Sequence, residues 1–246
     1  MHEKYTRIPS PELGRDVHLW QFGHFGPPVI VFPTAAGFAH EWRAQGMIEA
    51  LAPLIQAGKM KLYCPESNVA EALTRKDNPP QWRIDRYDVY ERFILDTLVP
   101  YVRADCNSPR IPIATAGASL GALYAANMAL KHPETFWWSL CLSGRYELRP
   151  FLDHHDSPQV YFNNPLAYVY NLSGEPLERV RQRTRLTLVC GRGKWEEGCI
   201  EETEELGAVL AHKGISCHTD IWGRDVSHDW VWWKRQAQYH FHRRLG

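Results

Sequence analysis

Ile111-Pro112-Ile113-Ala114-Thr115-Ala116-Gly117-Ala118-Ser119-Leu120-Gly121-Ala122-Leu123-Tyr124 joins a short apolar run to a helix-forming stretch that continues to Leu130. Between them lies a Gly-x-Ser-x-Gly, Gly117 to Gly121. In that setting the pentapeptide makes a turn so sharp that its central residue takes a strained backbone, and the glycines make room where strand and helix cross. Ser119 is then expected to stand exposed at the carboxyl edge of a sheet. The first N–H groups of the helix behind it, Leu120 foremost, point to where negative charge gathers on an attacked carbonyl.

Outward from this turn, strand-like and helical patterns alternate, which predicts an α/β fold with a mostly parallel central sheet covered on both faces. Strands are expected at Val17–Phe22, Val29–Phe32, Lys61–Cys64, Phe136–Leu142, Leu186–Cys190 and Cys217–Trp222. Trp42, Met47, Ile48, Leu51, Leu54 and Ile55 recur at helical spacing, as do Tyr87, Tyr90, Ile94, Leu98 and Tyr101. A last helix is expected from Trp230 to His242. Between residues 145 and 183 no period emerges, so this stretch reads as an irregular, cap-like insertion in a single domain spanning residues 1–246.

The composition narrows the function. The 246 residues, 44% of them hydrophobic, suffice for a sizeable core. Basic and acidic residues balance at 28 each, and no cationic stripe is present, which argues against a nucleic-acid partner. The start of the chain lacks the apolar segment of a signal peptide. No apolar run approaches the roughly 18 residues of a membrane span. A cytoplasmic protein is the expectation, with a homo-oligomer allowed. Six cysteines, at 64, 106, 141, 190, 199 and 217, never form a Cys-x-x-Cys. They are expected to be reduced and small, and neither a metal nor a cofactor is expected. Glu201, Glu202, Glu204 and Glu205 fall on a helical pattern with Ile200, Leu206, Val209 and Leu210, and most read as a solvated face.

A serine hydroxyl is a poor nucleophile until a neutral imidazole takes its proton and a carboxylate fixes that imidazole's tautomer. On this turn the partners follow in the order acid, then histidine, at the ends of later strands. Of twelve histidines, His228 alone lies after the last expected strand and before the last helix. The acid is expected after Leu186–Cys190, in Gly191-Arg192-Gly193-Lys194-Trp195-Glu196-Glu197-Gly198. Glu196 is the first choice and Glu197 the second. Asp229 suits a helix N-terminus better. The second donor to an oxyanion is expected from the small residues after Val29–Phe32, with Ala35 first and Ala36 next.

These residues resemble a known group, the esterase family of the α/β-hydrolase superfamily related to esterase D, feruloyl esterases and the antigen 85 mycolyltransferases. The resemblance rests on Val31-Phe32-Pro33-Thr34-Ala35-Ala36-Gly37 with Glu41-Trp42, on Gly117 to Gly121, and on His228-Asp229-Trp230 with Trp232 and Trp233. Pro33-Thr34 stands where the family usually has His-Gly, and a glutamate stands where it more often has aspartate. The resemblance implies hydrolysis of carboxylic esters through an acyl-serine, and small or short-chain acyl esters are the expected substrates. Acyl transfer to another alcohol, or a binding role without chemistry, are the rival expectations.

Overall fold

The computed structural model describes all residues, 1–246. Its strands are β1 (Glu3–Ser10), β2 (Arg15–Phe22), β3 (Pro28–Phe32), β4 (Lys61–Pro65), β5 (Ile113–Ala118), β6 (Phe136–Leu142), β7 (Leu186–Cys190) and β8 (Cys217–Ile221). They form one sheet in the order β1-β2-β4-β3-β5-β6-β7-β8. All neighbours from β4 to β8 are parallel, while β2 runs antiparallel to both β1 and β4. The helices are α1 (Glu41–Ala44), α2 (Met47–Gln56), α3 (Pro80–Arg92), α4 (Val99–Asp105), α5 (Leu120–Lys131), α6 (Pro158–Asn163), α7 (Pro165–Asn171), α8 (Gly174–Arg183), α9 (Cys199–His212) and α10 (Trp230–Leu245). None is long and apolar enough to cross a membrane.

A parallel strand is buried on both faces and therefore reads as an unbroken apolar run. β3, Pro-Val-Ile-Val-Phe, shows how such a run divides between two cores. Val29 and Val31 point to the face packed by Trp42, α2 and α10, whereas Ile30 and Phe32 point to the larger core under α3, α5 and α9. β5 divides likewise, with Ala114, Ala116 and Ala118 on the α2 and α10 face. The connection after β3 thus leaves toward one face and that after β5 toward the other. Where crossovers part in this way, a crevice opens at the carboxyl ends of the strands.

Three features depart from the sequence pattern. β1 was not expected; it is an edge strand with few apolar residues, held to β2 over eight register pairs from Glu3 to Ser10. The long helix before β5 widens into a π-helical turn at Phe93–Leu98, just ahead of Pro100. Proline has no N–H for the carbonyl four residues back, and the wider turn accommodates that loss. Residues 145–183 contain a 3-10 turn and α6 and α7, all too short to show a period, and α8, which has only Leu177 and Val180 to mark one. They lie against α3, α5 and α9, and Asn127 of α5 ties them down by donating to the Asn163 carbonyl and accepting from Tyr168.

α3 and the end of α5 are joined by Glu91, which binds Lys131 Nζ at 2.5 Å and His132 Nε2 at 2.9 Å. Burial on its own raises the Glu91 carboxyl, but the bonds from His132 and Lys131 and their charge hold it below the usual carboxylate range. A depressed acid adds stability at neutral pH and loses it as pH falls through its folded value. Glu91→Gln is therefore expected to lower unfolding stability at pH 7 by about 1–3 kcal/mol. In denaturant titrations the gap to the parent chain should close on acidification below the ordinary carboxylate range.

Candidate active site

Ser119 has φ 56° and ψ −124°, a backbone that L-residues rarely adopt. Both flanking glycines are required sterically. A Cβ at Gly117 would lie 2.2 Å from the Gly121 carbonyl oxygen, and one at Gly121 would lie 2.3 Å from that of Phe32. The turn is thus pressed against the end of β3. Ser119 N–H donates to Leu142 O at 2.9 Å, which fixes the serine beside the end of β6. Leu120 begins α5, so its N–H belongs to the set that no helical carbonyl accepts.

The next residue along β6 is Ser143, which the sequence reading missed. It is fully buried, and its hydroxyl donates to Glu196 Oε1 at 2.7 Å while accepting from Trp233 Nε1 at 2.9 Å. Glu196 is itself 1% exposed and also accepts from Gly191 N–H at 3.3 Å. Its other oxygen lies 3.1 Å from His228 Nδ1. That contact puts the proton on Nδ1 and leaves Nε2 with its lone pair. The edge of Trp233 packs against the His228 ring, with centroids 4.8 Å apart and planes at 83°.

Two loops are zipped together to bring this about. Gly193 N–H donates to Val226 O at 2.8 Å, His228 N–H to Lys194 O at 3.0 Å and Arg192 N–H to Gly223 O at 3.1 Å. A Cβ at Gly191 would come within 2.0 Å of the Val226 oxygen, so the two backbones touch. Asp229 caps α10 by accepting from Val231 N–H at 2.8 Å. Of the two adjacent glutamates, only Glu196 meets the imidazole. Glu197 is exposed and makes no hydrogen bond, because Trp195 at φ 65° turns the chain so that the next side chain enters the core and the one after it leaves.

The loop after β3 is held by Glu41, which the resemblance marked without giving it a role. Its buried carboxylate accepts from Thr34 N–H at 2.7 Å and Thr34 Oγ1 at 2.6 Å. Burial raises its pKa, and the bonds from Thr34 only partly oppose this. Ala36 N–H turns back toward Thr34 Oγ1 at 3.4 Å, whereas Ala35 N–H has no partner within the chain. Glu202 departs from the solvated face expected for its helix. It is buried, pairs with Arg145, and accepts from the N–H groups of Tyr146 and Glu147, which braces the segment after Ser143.

The structure brings Ser119, Glu196 and His228 to one end of neighbouring strands. No hydrogen bond joins Ser119 Oγ to the imidazole; the two are linked through Leu142, Ser143 and Glu196.

The sheet order and its covering helices are those of the α/β-hydrolase fold. The chain belongs to the esterase family: the family model described as "Putative esterase" matches residues 26–243. It is a carboxylesterase-type hydrolase, acting on carboxylic esters. Similar solved structures include a ferulic acid esterase, with TM-score 0.77 and 17% identity, covering 99% of this chain and 97% of that one. MPT51 (FbpC1) of Mycobacterium tuberculosis gives TM-score 0.75 at 16% identity, covering 100% and 98%. An S-formylglutathione hydrolase from Agrobacterium tumefaciens gives 0.75 at 14%, covering 99% and 95%. At such identities the likeness is one of fold. Among curated proteins no sequence matches.

Two substitutions probe the supports of the site. Gly121→Ala forces a methyl group into the Phe32 carbonyl and is expected to cost about 1–3 kcal/mol in denaturant unfolding. Glu41→Gln keeps one acceptor for Thr34 and removes the other. It should lower kcat more than it raises KM while leaving the circular-dichroism spectrum unchanged.

Proposed function

We propose that this chain hydrolyses small or short-chain acyl esters through an acyl-enzyme on Ser119, with His228 as general base and Glu196 orienting the ring. The observation that carries the proposal is the Glu196–His228 pair, with its carboxylate buried, beside a serine held at φ 56°. Ser119 Oγ attacks the ester carbonyl and gives its proton to His228 Nε2. The oxyanion is met by the N–H groups of Leu120 and Ala35, with Ala36 the weaker donor because its N–H already faces Thr34. Imidazolium then protonates the departing alcohol, and the neutral ring draws a proton from water to release the acid.

Three features support this division of roles. Glu196 keeps Nε2 free as a base, and Trp233 limits rotation of the ring. The short loop Pro33–Gly37 leaves small residues facing the approaching carbonyl. The insertion packs beside α3, α5 and α9, which favours an open site for a small ester rather than a deep tunnel. A soluble enzyme meeting diffusible esters fits the absence of a spanning helix and the balanced charge.

Fluorophosphonate labelling tests the nucleophile. Intact protein should gain the mass of one label on Ser119, and Ser119→Ala should lose both the label and about 10⁴-fold or more in kcat on p-nitrophenyl acetate. Glu196→Gln is expected to lose about 10⁴-fold with the same substrate, and Glu197→Gln nearly nothing. An unlabelled parent chain would favour a binding protein. Ester products formed in the presence of added alcohols would favour acyl transfer.

A further inference from the structure

We propose that His218, Asp220 and His240 form a site for a divalent transition-metal ion, on the edge strand β8 and three strands from β5. His218 and Asp220 are two residues apart on β8 and so share a face. α10 lays His240 against that face, with the two imidazole centroids 6.0 Å apart. One donor atom from each residue lies within 4.8 Å of the other two.

The contact between His240 and Asp220 is the informative one. Nε2 of His240 is 3.0 Å from Asp220 Oδ2, yet the pair lacks hydrogen-bond alignment, and His240, 3% exposed, leaves Nε2 without a hydrogen-bond partner. The carboxylate oxygen instead accepts from Trp222 Nε1 at 3.0 Å. A buried imidazole nitrogen without a partner is costly. A cation between Nε2 and Oδ2 gives Nε2 the partner it lacks and uses a second lone pair of Oδ2 beside the Trp222 bond.

The donor set, two imidazole nitrogens and one carboxylate oxygen, suits zinc, nickel or copper rather than calcium or magnesium. Bonds of about 2.0–2.2 Å in a tetrahedron separate neighbouring donors by roughly 3.3–3.5 Å, so the observed contact has to open by a few tenths of an ångström. His218 is exposed on the edge strand, which gives an entry path and leaves room for water as a further ligand. His218 and His240, but not Asp220, line a cavity of about 290 Å³, and Arg185, Arg243 and Arg244, which share it, oppose a cation. Arg185 and Arg243 are exposed, and solvent screens their charge.

β8 and α10 are the two arms on either side of the loop that carries His228. An ion joining them at this point would staple that loop from behind, whether or not Ser119 reacts.

Zinc binding to the EDTA-stripped full chain, followed by titration calorimetry and thermal unfolding, tests the site. One ion per chain is expected, with an unfolding midpoint that climbs with zinc concentration. His218→Ala and Asp220→Asn should each weaken binding by about tenfold or more. Because His218 is exposed, its variant should fold even where His240→Ala does not. Cobalt in place of zinc should give visible ligand-field bands that His218→Ala abolishes. Failure to bind zinc overturns the site. So does zinc binding that survives His218→Ala but is lost in Cys199→Ala, since the ion would then sit with Glu196, Cys199 and His228. A midpoint raised by inorganic phosphate but not by zinc, and no longer raised in Arg185→Ala, identifies an anion pocket instead and likewise overturns it.

Discussion

A buried carboxylate cannot be left short of partners, and Glu196 applies that constraint to the whole carboxyl edge of the sheet. Its contacts come from Ser143 after β6, from Cys190 and Gly191 at the end of β7, and from His228 before α10. None of those segments can move alone without stranding a charge. Glu202, on the helix that follows, holds the stretch after Ser143 from its other side. The nearby Cys199 thiol, pushed up to about 12 by burial and then by the charge of Glu196, stays protonated and adds no second anion.

A second constraint is steric and links the serine to the loop across the crevice. Gly121 sits against the Phe32 and Pro33 carbonyls, so the start of α5 and the exit from β3 share one position. Where relatives usually carry His-Gly, this chain has Pro33-Thr34, and the change is matched locally. Thr34 supplies both a hydroxyl and an N–H to Glu41, which closes the loop on itself. The geometry of Ala35 thus depends on a carboxylate seven residues from Thr34, in the first turn of α1.

These two constraints mark what a sequence does and does not reveal. β3, β6 and β7 were legible because strands buried on both faces write long apolar runs, and Phe136–Leu142 and Leu186–Cys190 match the structure residue for residue. β1 was not, because an edge strand needs few apolar residues. Ser119 and His228 could be singled out by local context and chain order. Ser143 and Glu202 carry no such mark: a serine after a strand or a glutamate on a helix acquires meaning only when a distant partner folds against it. Glu196 could be ranked ahead of Glu197 but not separated from it outright, for a related reason. The positive φ at Trp195 breaks the alternation by which burial is read from spacing.

The missing hydrogen bond between Ser119 Oγ and His228 follows from the same division between fixed and free parts. Glu196 and Trp233 restrain the ring, and the turn restrains the serine's backbone, while Ser119 Oγ has no hydrogen-bond partner in the chain. Ser119 is half-buried and the His228 side chain is 20% exposed, so both are open to solvent. Rotation about one side-chain bond is cheap beside the cost of moving either loop. In the proposed reaction the pair closes when substrate arrives. What the fold must supply in advance is the expensive part, a buried carboxylate and a strained turn at adjacent strand ends, and those are the parts it fixes.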